Sequence, residues 1–486
     1  MDAKAFDNFK NALSRVAHVL VGLVMVALLG VIAYWVLFGA SPKTHLVRLL
    51  PRVEAPWVCF EGEGRDLAGA APALKLASPL GESVPMAADR LERFAVLRSL
   101  SPGGEIWMAC RLTQGEAELR SRQIPQGLLA QGYSATPSED GRFAVSAPNG
   151  DPVGVMAFVD GVLLFSSTPE GLSSMEALAG GKGEPLMGRW DLEPSWTGHL
   201  ALADGGRLNP LLGGAKGEGA VLTCAFRRLD TRGDDPFEPA GEARWRLEGV
   251  EIPLLKSLER VDWSDLKFRL AGPVALAGGL KVAQGRYGDV PFIGAIEGWL
   301  DSLGLSQPSK EAILSSPVAF SVGGRTEILW VSMPGVMLSF PSSGKAGEEL
   351  AKLVWEKVFL GMVPQPMAGY QSGGYTRLPF SMVAASNGNE AELGAVSPTS
   401  LADAPSQLPK TALEPNRGWI YANLPAMGEA VGDLVSVLSM FGGDDNPFGE
   451  VAQGNVREAL SAMSPLLITF EDSNSGRVQW YNPSKR

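Results

Sequence analysis

Between Arg15 and Lys43 the chain carries no Asp, Glu, Lys or Arg, and Val19 to Phe38 is almost wholly Val, Leu, Ala and Gly. A run of that length, at roughly 1.5 Å per residue, predicts a helix long enough to cross a hydrocarbon layer about 30 Å thick. Phe38 stands where a signal peptidase would need a small residue before Ala40, so the run reads as an uncleaved anchor. Phe6, Phe9, Leu13 and Val16 recur at near-helical spacing and extend that helix toward the N-terminus.

Beyond the anchor the pattern changes to short apolar runs broken by turns, and it changes in the same order twice. Asp160-Gly161 leads to Val162–Ser166 and then Thr168-Pro169, a helix cap followed by proline at the first helical position. Asn387-Gly388 leads to Leu393–Val396 and then Ser397-Pro398. Leu172, Met175 and Ala179 continue the first of these helices to Gly180-Gly181, whereas Pro405 cuts the second short. Upstream, Ile106–Leu112 precedes a helix over 116–131, and Val336–Phe340 precedes one over 346–360. In the latter, Leu350, Leu353, Val354 and Val358 share a face, and Glu348 and Lys352 are placed to pair. Downstream, Thr197–Asp204 and Arg417–Leu424 each read as a strand, a polar turn and a helix ending in paired glycines.

This order predicts a duplicated α+β unit. The expected organisation is a cytoplasmic tail over 1–15, a transmembrane anchor over 16–42, a first α+β module over 43–235 and a second over 236–486. Both modules are expected to have mainly antiparallel sheets with helices on one face. Asp230 to Gly241, rich in Asp, Gly and Pro, is the expected linker. Ala243 to Val282 alternates in short runs and predicts added antiparallel strands at the start of the second module.

Composition agrees with a globular body. The chain is 45% hydrophobic and 20% charged, with 58 glycines and 35 prolines to serve its turns. A net charge of −11 without a Lys/Arg cluster argues against nucleic acid as a partner. The basic residues flanking the anchor tie, so they do not orient it; the short N-terminal tail favours a body on the outer side of the membrane.

The anchor, the passage Asp160 to Leu172 and the passage Ser316 to Phe340 resemble a class of uncharacterised bacterial envelope proteins with one anchor and an extracytoplasmic body of repeated α+β modules. The resemblance implies a periplasmic body on the inner membrane and brings no catalytic residues with it.

Candidate chemistry is sparse. The three histidines are His18 in the apolar run, His45 after it and His199 in a strand pattern, where a half-exposed structural role is expected. No phosphate-binding loop or nucleophile elbow is present. Cys59 and Cys110 lie in strand-like runs and either pair as a disulfide or pack as thiols, with Cys224 left over. Asp234 and Asp235, and Asp444 and Asp445, fall in two acidic loops that are weak calcium candidates lacking the spacing of a helix–loop–helix site. No cofactor is expected.

The functional expectation is therefore a non-enzymatic, membrane-tethered binding or scaffold protein acting on another envelope protein. The alternative is a carrier or sensor of a small apolar ligand, such as lipid, held between the two modules. Some of the twelve tryptophans would then line its groove.

Overall fold

The computed structural model describes residues 46–54, 56–63, 91–101, 103–112, 132–186, 198–203, 221–229, 235, 237–249, 253–328, 331–359, 362–377, 380–430, 460–461 and 463–482. The first half lays down ten strands: β1 (Trp57–Glu63), β2 (Leu91–Ser99), β3 (Ile106–Leu112), β4 (Ser134–Pro137), β5 (Phe143–Ser146), β6 (Pro152–Val159), β7 (Val162–Ser166), β8 (Gly198–Ala203), β9 (Val221–Arg228) and β10 (Pro239–Glu248). The second adds β11 (Arg269–Ala271), β12 (Val274–Leu280), β13 (Val318–Ile328), β14 (Val331–Phe340), β15 (Ser372–Thr376), β16 (Met382–Ser386), β17 (Ala391–Ala395), β18 (Leu401–Asp403), β19 (Gly418–Ala422), β20 (Leu466–Phe470) and β21 (Ser475–Tyr481).

Nineteen of these strands form one sheet, and β11 and β18 form a separate two-stranded strap. Every pairing is antiparallel. Followed by hydrogen bonding, the order is β4-β5-β6-β7-β3-β2-β1-β8-β9-β10, then β21-β20-β19-β12-β13-β14-β17-β16-β15. Walking outward from the β10–β21 pair in either direction gives the same order over six strands: two preceding strands, the first strand that half contributes to the sheet, its next two, then a jump to the start of an antiparallel run. That run is four strands long in the first half (β7 to β4) and three in the second (β17 to β15).

The expectation of two α+β modules carried on an N-terminal transmembrane helix is corrected by this architecture. A single antiparallel sheet spans both halves, and helices are few among the described residues. Among the described residues no helix is long and apolar enough to cross a membrane. The expected anchor, Val16 to Ala40, lies outside the described residues. Among the described residues, therefore, no helix supports a single-pass inner-membrane protein with a periplasmic body.

Four helices of more than two turns occur among the described residues: α1 (Pro169–Ala179), α2 (Pro291–Leu303), α3 (Gln307–Ser315) and α4 (Gly344–Lys357). α1 begins as its sequence dictates: Thr168 is extended, its Oγ1 accepts from the Gly171 amide at 3.1 Å, and Pro169 opens the helix. The corresponding Ser397-Pro398 starts only a short 3₁₀ turn before β18. In α4, Lys352 pairs with Glu356 at 3.8 Å rather than with Glu348. The helices expected over 116–131 and after Leu208 and Val431 lie outside the described residues.

Because side chains alternate across a strand, both faces of the sheet carry a core. In the first half, Cys59, Leu97, Ala109 and Leu164 pack under α1 and the 3₁₀ turn Leu46–Leu49. Phe94, Val96, Met108, Cys110 and Phe165 form the opposite core. In the second half, α2, α3 and α4 cover Val318, Phe340, Ala384 and Leu393. Trp263, Trp419, Tyr421 and Tyr481 pack on the other side with the turns Ala404–Gln407 and Lys410–Leu413.

Candidate functional site

The second half contains a groove of about 480 Å³, and every residue that lines it is apolar. Its floor is the sheet: Val336 and Leu338 on β14, Leu393 and Ala395 on β17, and Met382 on β16. One wall is α2, which turns Ile293, Ile296 and Leu300 into the core and sets Ala295 and Trp299 toward the groove. The other is the C-terminal part of α4 with Val354, Val358 and Phe359. Ala295 and Ala395 present only methyl groups to it, beside the larger Trp299 and Val336. Val336 and Val358 are about half exposed (51% and 47%), so the lip as well as the interior is apolar.

The walls are fixed by polar ties away from the groove. Trp355 Nε1 donates to the Ala384 carbonyl at 2.7 Å, pinning α4 to the sheet. Lys357 Nζ donates to the Leu303 carbonyl at 2.6 Å, which joins the end of α4 to the last turn of α2, where a cation complements the helix dipole. Glu349 on α4 accepts from the amide and hydroxyl of Ser306 and from the Ser309 hydroxyl, at the N-terminus of α3. These donors, the Ser309 hydroxyl first, hold the Glu349 carboxyl below its usual range.

A second feature lies across the sheet from this groove. Glu392 on β17 is fully buried, neither of its carboxylate oxygens has a hydrogen-bond partner, and burial pushes its pKa up to about 7. Tyr370 and the Arg269 backbone are near enough to favour the ionised form, without hydrogen-bond geometry to either oxygen. Glu390, also raised by burial, accepts from Asn387 Nδ2 at 2.6 Å and faces a polar cavity of about 460 Å³ shared with Lys267 and Asn389. Arg269 lies over the Tyr370 ring at 5.5 Å and pairs with Asp403 at 3.3 Å across the β11–β18 strap. This cluster is not legible in the sequence pattern, because two glutamates two apart in a strand look like a solvated edge.

The residues singled out by sequence fall elsewhere. His199 is 1% exposed rather than half exposed, and its Nδ1 is 3.7 Å from Glu61 Oε2. Glu61 is itself buried, and accepts from Arg93 Nε at 3.0 Å and from the Leu46 amide at 2.8 Å. This polar group on β1, β2 and β8 ties the start of the body to the sheet.

Cys59 and Cys110 are both free, and they belong to cores on opposite faces of the sheet, so the proposed pairing does not form. Of the calcium candidates, Asp234, Asp444 and Asp445 lie outside the described residues. Asp235 is exposed, and its Oδ1 accepts from the Phe237 amide at 2.9 Å as a turn carboxylate. Among the described residues no cluster of His, Cys, Asp or Glu could hold a metal ion. Of the tryptophans, Trp299 lines the groove, whereas Trp263 and Trp419 pack edge to face at 5.7 Å in the core.

No protein-family profile matches the chain, and no curated protein matches it in sequence. Among solved structures, crystal forms IV, III and I of TP0453 align at TM-scores of 0.27, 0.28 and 0.29 with 9%, 10% and 10% identity. These alignments cover 44%, 46% and 46% of this chain and 85%, 90% and 89% of that one. At such scores the likeness carries no argument about fold, location or activity, and no family is assigned.

Proposed function

We propose that the protein is a non-catalytic binding protein that takes a small apolar ligand, of the acyl-chain type, in the groove between α2, α4 and the β14–β17 floor. The single observation that carries this reading is a groove of about 480 Å³ lined by aliphatic, aromatic and methionine side chains. That volume is within the roughly 300–1,000 Å³ typical of small-molecule sites. A ligand needing polar recognition would find no partner there, since a buried polar group without a hydrogen bond costs about 1–3 kcal/mol. A hydrocarbon chain loses nothing of this kind and gains about 0.8 kcal/mol per buried methylene. The groove lies within the second half, so the ligand is not held between the halves.

The test is titration of the purified protein with a fluorescent C18 fatty acid. Saturable one-to-one binding is expected, reduced at least about tenfold by Val336→Arg, which places a charge at the half-exposed lip where the fold tolerates it. Competition by unlabelled fatty acid but not by an apolar peptide supports a lipid-like occupant. Absence of saturable binding, or binding untouched by Val336→Arg, removes the ligand reading and leaves a protein segment as the occupant to seek.

A further inference from the structure

The two strands at the middle of the sheet carry one pattern, Gly-x-x-x-Trp: Gly241 to Trp245 on β10 and Gly476 to Trp480 on β21. Their pairing is antiparallel, with Gly241 opposite Trp480 and Trp245 opposite Gly476. Ala243 pairs with Val478, the residue at the same place in the other pattern. The register therefore has two-fold symmetry about the Ala243–Val478 pair. Each glycine stands beside the other strand's tryptophan: a Cβ at Gly241 would overlap the Trp480 ring, and one at Gly476 would meet the Thr469 carbonyl of β20 first and then lie 2.8 Å from Trp245 Cζ2. Such reciprocity is the mark of an isologous interface, in which one surface meets a copy of itself.

The same symmetry extends over the next six strands on each side. β10 pairs outward with β9, β8 and β1 in succession, and β21 with β20, β19 and β12. Beyond these, β2, β3 and β7 correspond to β13, β14 and β17. Among the described residues the buried core clusters divide between the halves. Phe237 and Trp245 alone reach from the end of the first half into second-half cores, with Trp245 edge to face on Phe470 at 6.2 Å.

We infer that β10 and β21 form a self-complementary docking edge: the chain is two copies of one unit, ending at Glu248 and Tyr481, and the partner this edge recognises is another copy of the same edge. In the intact chain the partner is supplied internally, and the covalent link between Gly249 and Pro253 is not what holds the halves together. The inference is independent of the ligand reading, because the groove lies away from the seam.

The test uses the full chain with a protease site inserted between Gly249 and Pro253, cut after folding. The cut protein is expected to elute as one species of unchanged size at micromolar concentration. Gly241→Val is expected to separate the cut halves, and adding Trp480→Ala, which removes the opposing ring, to restore co-elution. Separation of the otherwise unaltered cut chain overturns the inference; so does co-elution of the cut Gly241→Val chain, or a double variant no better than the single one.

Discussion

Glu392 is the residue whose environment departs furthest from its sequence appearance. Its folded pKa of about 7 stands above the ordinary glutamate value of 4.5, because burial disfavours the charged form. The folded state therefore holds a proton that the unfolded state releases between pH 4.5 and 7. Stability from this group is fully present below about pH 4.5 and is lost as pH rises through about 7, a loss of about 3 kcal/mol by linkage. Urea unfolding at pH 5 and pH 8 is expected to show that decline, and Glu392→Gln to flatten it; a wild-type midpoint rising over this interval contradicts the assignment.

The thiols give a second test at this scale. Burial pushes Cys110 up to about 12 and Cys224 up to about 11, and Cys59 is raised as well, so none is a thiolate at neutral pH. Alkylation at pH 8 followed by intact mass measurement is expected to add no label to Cys59 or Cys110 in the native protein, and to label all three thiols in denaturant. The sequence left open whether Cys59 and Cys110 pair, since strand runs alone do not say which face each thiol takes. Pairing register decided it.

At the scale of elements, local chemistry was legible where it acts within a few residues. Thr168-Pro169 specified the start of α1, and removing its cap by Thr168→Ala is expected to cost about 1 kcal/mol in chemical denaturation. The same signal at Ser397-Pro398 did not make a helix, because β18 immediately enters the strap with β11. Long-range hydrogen bonding there overrode a local start signal. The groove was not legible either, as it depends on α2 and α4 flanking strands from three places in the chain. Filling it by Ala395→Trp is expected to abolish fatty-acid binding while leaving far-ultraviolet circular dichroism unchanged.

At the scale of the whole molecule, turn-and-strand passages recurring in fixed order were readable, and each recurring pair occupies corresponding places in the sheet: β3 with β14, β7 with β17, β8 with β19. Their assembly into one sheet was not readable. The joining strand begins at Pro239, inside the stretch read as a linker for its Asp, Gly and Pro content. Gly241 supplied part of that linker signal, yet it serves as the recess for Trp480. A glycine demanded by close packing and a glycine demanded by a turn are identical in sequence. The transmembrane expectation failed differently: it rested on a segment outside the described residues, and none of the described helices meets its requirement of length and apolarity.

The position of β21 has a consequence for the order of events during synthesis. The last strand of the described chain is at the centre of the sheet, between β20 and β10. Each half closes its other pairings within itself, but β10 waits with an open edge while the whole second half is made. Until β21 emerges, a nascent chain exposes the kind of unpaired edge that recruits other strands. Vectorial synthesis thus makes the final strand the keystone, and neighbouring ribosomes on one message would hold several such waiting edges side by side.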